Sequence, residues 1–122
     1  MTHTISTLLT RNLHEVFGEG DAARRRAAID ELFTEDALFY APDGIHRGRE
    51  AIDRTAGAVR ATHSEFGYTE LRPPEDLHGD AGRLQWVAGP AGAAPVYAGT
   101  DVIVARDGRI AALYLFFDPL PG

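Results

Sequence analysis

Phe33 to Ile52, F-T-E-D-A-L-F-Y-A-P-D-G-I-H-R-G-R-E-A-I, is the stretch that decides the fold. It reads as the end of a helix, a short strand, a turn and the start of another helix. Leu38, Phe39 and Tyr40 suit a pleated strand. Pro42-Asp43-Gly44 breaks that strand, because Pro fixes φ and Gly tolerates positive φ. Gly48-Arg49-Glu50 then opens a segment with Ile52, Ala56 and Val59 at helical spacing.

Two helical patterns precede this stretch. Ile5, Leu8, Leu9, Leu13, Val16 and Phe17 form one apolar stripe, with Thr4 as its cap and Gly18 and Gly20 at its end. Asp21 caps a second helix, whose buried side carries Ala27, Ile29, Leu32 and Phe33. Arg24-Arg25-Arg26 spans most of a turn and reads as a solvated face. Only strand patterns follow the third helix. Phe66, Tyr68 and Leu71 mark one, interrupted by Pro73-Pro74. Arg83 to Ala88, Val96 to Ala105 and Arg109 to Asp118 are the others, and Asp107-Gly108 is a tight hairpin signal between the last two. Helices first and strands afterwards predict an α+β fold of three helices and five or six strands. A strongly bent sheet around the helices is expected to leave a pocket inside.

The chain has 122 residues and no linker or repeat that divides it, so residues 1–122 are expected to form a single domain. A formal charge of -6 argues against nucleic acid and anionic membrane as partners. No apolar run approaches the roughly 18 residues of a membrane-spanning helix. The N-terminus lacks a basic region followed by an apolar stretch, so a cytoplasmic location is expected. There is no Cys and no Lys, which removes disulfides, thiolate catalysis and Schiff-base chemistry. The two serines, Ser6 and Ser64, sit in no G-x-S-x-G turn. No two histidines stand four apart and no H-E-x-x-H occurs, so no metal site is expected; no cofactor is expected either.

Three segments resemble the nuclear transport factor 2-like superfamily, in its SnoaL-like and ketosteroid-isomerase-like branch. They are L-F-T-E-D-A (32–37), P-D-G-I-H-R-G-R-E-A-I (42–52) and G-T-D-V-I-V-A-R-D-G-R-I-A-A-L-Y-L-F-F-D (99–118). The resemblance implies a cone-shaped, cystatin-like α+β barrel, with three N-terminal helices in the concave face of a strongly curved, mainly antiparallel sheet. It also implies an apolar cavity and dimers formed through the outer sheet face. It implies no single reaction, since such folds host isomerases, cyclases, hydrolases, dehydratases and binding modules. The catalytic base of ketosteroid isomerase falls on Ala41, its tyrosine near Leu13 and its second acid near Thr100. In the epoxide-hydrolase branch the catalytic acid falls on Leu115, and an Arg and an Asp near Leu84 and Trp86. Ala and Leu transfer no proton, so these sets read as absent.

Strand alternation splits the closing strands into two sides. One carries Val96, Ala98, Thr100, Val102, Leu113, Leu115 and Phe117; the other carries Tyr97, Gly99, Asp101, Tyr114, Phe116 and Asp118. By the resemblance the first side lines the cavity, with Leu13, Phe17, Phe39, Ala41, Leu84 and Trp86 completing the wall. Trp86, Phe17 and Phe39 serve equally as core. Tyr97, Tyr114 and Phe116 are expected on a homodimer interface. His14 is a candidate base one step off the helix stripe, or else a boundary residue. His46 sits before the third helix, near the expected mouth. Asp101 faces outward in this register, and a slip of one residue would turn it inward as a base. Tyr40 has the same ambiguity. Arg47 and Arg49 read as surface electrostatics. The leading expectation is a SnoaL-like protein that binds a small hydrophobic metabolite. The alternatives are an isomerase, cyclase or hydrolase acting by proton transfer beside a carbonyl or epoxide, and a non-catalytic dimerisation module.

Overall fold

The computed structural model describes residues 3–121. Met1 and Thr2, part of the stretch read for a signal segment, lie outside it. Helix α1 (Ile5–Arg11) is capped by Thr4, whose hydroxyl oxygen accepts from Thr7 N at 3.1 Å. The apolar stripe continues through Asn12–Phe17, but there the helix widens to a π-helix and ends with Gly18 N donating to Leu13 O. Helix α2 (Ala22–Leu32) starts at Asp21, which accepts from Arg24 N at 2.8 Å. It passes directly into strand β1 (Phe33–Ala41), so Phe33 opens a strand rather than closing a helix. Pro42 and Asp43 join β1 to β2 (Gly44–Arg47), a short antiparallel partner that sequence reading took for a loop. Helix α3 (Gly48–Thr62) follows.

The remaining strands are β3 (Phe66–Glu70), β4 (Glu75–Leu77), β5 (Ala81–Pro90), β6 (Tyr97–Arg106) and β7 (Arg109–Asp118). Their order is β2-β1-β7-β6-β5-β3, with β4 also on β5, and every pair is antiparallel except β1 with β7. The α+β class and the mainly antiparallel sheet therefore hold. The expected cone-shaped barrel with a strongly curved sheet does not: the sheet is open, with β2 at one end and β3 at the other. Closure would need those end strands to pair. They are only four and five residues long, against nine or ten for β1, β5, β6 and β7.

Two arginines tie the helices down. Arg49 Nε and Nη2 both donate to Phe33 O, at 3.1 and 2.7 Å, fixing the start of α3 on the start of β1. Arg25 is buried between α2 and α3, where its guanidinium meets Asp53 Oδ1 at 3.1 Å and Glu19 O at 3.1 Å. Neither is the solvated charge that its sequence context suggests. A buried guanidinium is tolerated because both of these bonds compensate lost hydration.

The β6–β7 hairpin settles which side chains face the helices. Asp107 and Gly108 form its two-residue turn with φ of 55° and 73°, as such a turn requires. An unbroken hairpin from that turn would set Thr100 opposite Leu115. Instead Ala105 pairs with Ile110 and Val104 with Ala112, so Ala111 is an extra residue in β7. Ala105 N donates to Asp80 O instead of across the hairpin. Beyond this bulge the register is advanced by one, and Asp101 stands opposite Leu115, with Gly99 opposite Phe117. The side of β7 was read correctly; the side of β6 is reversed.

Candidate functional site

Between the helices and the sheet lies a cavity of about 510 Å³. The π-helical segment contributes Leu13 and Phe17, and β1 contributes Phe39 and Ala41. Trp86 and Ala88 come from β5; Leu113, Leu115 and Phe117 come from β7. Helix α3 lays Thr55, Ala58, Val59 and Thr62 along one wall, an i, i+3, i+4, i+7 set. Tyr97 and Phe117, 40% and 57% exposed, mark an opening beside His63 and Phe66. Small residues at Ala41, Ala58 and Ala88 leave the space that larger side chains would fill.

Among the described residues Asp101 is the one buried carboxylate on this wall. It is only 5% exposed, and burial pushes its carboxyl up to about 7, because the charged form loses hydration. The nearby Trp86 indole N–H offsets part of that rise, yet makes no hydrogen bond of regular geometry and is left buried without a partner. Tyr68, edge-on to Trp86 at 5.2 Å, also faces the cavity; its phenol is raised by burial and by the Asp101 charge. Asp101, Trp86 and Tyr68 thus gather three donors at one end of a mainly apolar space when Asp101 is protonated.

At the β1–β2 end, Asp43 and Thr55 reach the cavity with His46 between them. His46 Nε2 is 3.1 Å from Asp43 Oδ1, and its Nδ1 is 3.0 Å from Thr55 Oγ1. Its ring lies against Phe39.

Of the pocket residues read from sequence, Leu13, Phe17, Phe39, Ala41, Trp86, Leu113, Leu115 and Phe117 lie on the wall. Leu84, Ala98 and Thr100 do not. Leu84 is buried in the core, and Ala98 and Thr100 share the other sheet face with Asp118, whose carboxylate accepts from Thr100 Oγ1 at 2.5 Å. The advanced register moves them there and turns Asp101 and Tyr97 inward. Tyr97 is therefore a rim residue and not part of the outer face, where Tyr114 and the exposed Phe116 remain. Tyr40 is outward too, stacked on Tyr114 at 4.7 Å. His14 is not a cavity base: its ring is 3.1 Å from Glu70 at the surface. Tyr68, Asp43 and Thr55 were not singled out from sequence. The helical spacing of the α3 set was the signal available for Thr55.

Among the described residues no group of three or more His, Cys, Asp or Glu is placed to hold a metal. No helix among them is long and apolar enough to cross a membrane.

The family model of the SnoaL-like domain matches residues 10–113. The chain belongs to the SnoaL-like family. This SnoaL-like chain is similar in structure to a candidate isomerase of the same family from Agrobacterium tumefaciens, at 25% identity and a TM-score of 0.85, over 94% of this chain and 97% of that one. It is similar to a candidate polyketide cyclase from Sinorhizobium meliloti at 24% identity and a TM-score of 0.65, over 86% and 91% of the two chains. A nuclear transport factor 2-like protein of unknown function from Cytophaga hutchinsonii shares the fold at 18% identity and a TM-score of 0.71, over 98% and 94%. No curated protein matches the chain.

The burial of Asp101 has a measurable consequence. Its folded-state value, about 7, lies above the ordinary 3.8, so between these pH values the native state holds a proton that the unfolded chain releases. Stability from this group is therefore lost as pH rises from about 4 to about 7, by roughly 4 kcal/mol in all. Asp101→Asn removes the effect. Urea unfolding of both proteins across this range should show wild type losing stability relative to the variant. Parallel profiles would mean that the carboxylate is solvated.

Proposed function

We propose that this SnoaL-like protein binds a small, mainly apolar metabolite whose carbonyl or similar oxygen is held by Asp101. The observation that carries this reading is a buried carboxyl, raised toward neutrality, in an apolar cavity beside an unpartnered Trp86 N–H. A protonated carboxylic acid in an apolar site donates a strong hydrogen bond, as in ketosteroid isomerase. Asp101 stands one residue beyond Thr100, near which the resemblance places the second acid, and the bulge turns it inward.

A second reading is an enzyme that transfers a proton next to the bound carbonyl. A carboxyl near pH 7 is suited to give and take protons. The similarity to a candidate isomerase and a candidate cyclase agrees with that class. On this reading Asp101 alone remains of the two bases considered, since His14 lies outside the cavity.

Apolar ketones and their parent hydrocarbons, compared by native mass spectrometry and thermal shift, test the binding reading. Ketones should bind more tightly, by about five- to tenfold, below pH 7. The preference should fade as Asp101 ionises, persist in Asp101→Asn at all pH values, and vanish in Asp101→Leu. No stabilisation by any ketone or hydrocarbon would defeat the reading.

The protein is further proposed to form a homodimer through the outer sheet face, where Tyr40, Tyr114, Phe116, Val104 and Ile45 leave a partly exposed apolar surface. Sedimentation at micromolar concentration should give a dimer that Phe116→Glu weakens; a wild-type monomer would contradict it.

A further inference from the structure

The Asp43–His46–Thr55 chain gives the cavity a second polar end of opposite sense. A carboxylate only accepts hydrogen bonds, so the ring nitrogen of His46 that faces Asp43 carries the proton. In the neutral imidazole the other nitrogen is then an acceptor. It lies 3.0 Å from Thr55 Oγ1, and in the neutral ring it is the threonine hydroxyl that donates to it. Thr55 has one proton, and His46 takes it. What Thr55 presents to the cavity is therefore oxygen lone pairs, and Asp43, also on the wall, adds carboxylate oxygen. His46 does not reach the cavity itself; it is a positioning residue that fixes the polarity of Thr55.

The other end, at Asp101, Trp86 and Tyr68, offers donors. β1, which runs into the Asp43 turn, is two strands from β6, which carries Asp101, so these two strands stand about 10 Å apart in the sheet, and Thr55 lines the cavity from α3. We infer that the ligand has two heads: the oxygen taken by Asp101 and, across an apolar body, a hydroxyl or amine whose hydrogen is accepted by Thr55. This rests on the ketone-binding reading of Asp101 and narrows it to hydroxy- or amino-substituted carbonyl compounds.

Three probes separate the two claims: benzylacetone, para-hydroxybenzylacetone and para-methoxybenzylacetone, with dissociation constants measured by calorimetry. The hydroxyl compound should bind wild type about five- to tenfold more tightly than the other two. Thr55→Val should bring the affinities of the three probes together, and Thr55→Ser should keep the hydroxyl compound ahead. Equal affinity for all three, or a preference that survives Thr55→Val, overturns the inference and leaves the carbonyl reading standing. Binding of none overturns the carbonyl reading. In that case nitrogen NMR of His46 at neutral pH still decides the polarity of Thr55. A neutral ring protonated at Nε2 supports it; an imidazolium, which would free the Thr55 proton, overturns it.

Discussion

One unpaired residue, Ala111, decides which side chains of β6 face the cavity. Side chains on a strand alternate, so an extra residue in β7 rotates everything paired beyond it by one face. Without the bulge Thr100 would face the helices and Asp101 would face outward. With it, a carboxyl is carried into an apolar wall and raised to about 7. Among the described residues no cation compensates the charge. Asp101 has no cationic partner among the groups that shift it, and the Trp86 N–H offsets burial only in part. The fold bears that cost because the neutral acid is tolerated where the carboxylate is not.

The rest of the structure keeps the space in front of Asp101 open. Phe33, Ile29, Leu32, Ile103 and Ile110 are fully buried away from the cavity and hold helices to sheet. Arg49 and Arg25 fix α3 from two sides. With α3 anchored, its Thr55–Thr62 face stands off from the sheet and does not collapse onto it. Small side chains at Ala41, Ala58 and Ala88 leave volume there. Gly99 is needed for the same reason: a Cβ at that position would run into the Trp86 ring. Trp86 can therefore lie flat along the wall beside Asp101.

Much of this was legible in the chain. The apolar stripe from Ile5 to Phe17, the Asp21 cap and the Asp107-Gly108 turn carry local signals, and each appears in the structure. The wall residues Phe39, Trp86, Leu113, Leu115 and Phe117 follow from alternation within a single strand. What failed was parity between strands. Ala111 sits in A-A-L, where a bulge leaves no compositional mark, so alternation carried unbroken from β6 to β7 put β6 out by one. Strand β2 was missed because its four residues include Gly44 and two polar side chains. The expected barrel failed because strand patterns give pairing partners only locally; whether distant end strands meet is not written in alternation. Arg25 and Arg49 looked like surface charges because their acceptors, Asp53, Glu19 O and Phe33 O, lie 6 to 28 residues away.

The central claim is that Asp101 is an inward, neutral carboxylic acid near pH 6. Infrared difference spectra of wild type against Asp101→Asn, recorded in heavy water, report that state directly. The account predicts a protonated carboxyl stretch from one group at about pH 6 that disappears as pH rises through about 7. A carboxylate band from Asp101 already present at about pH 5 would contradict it.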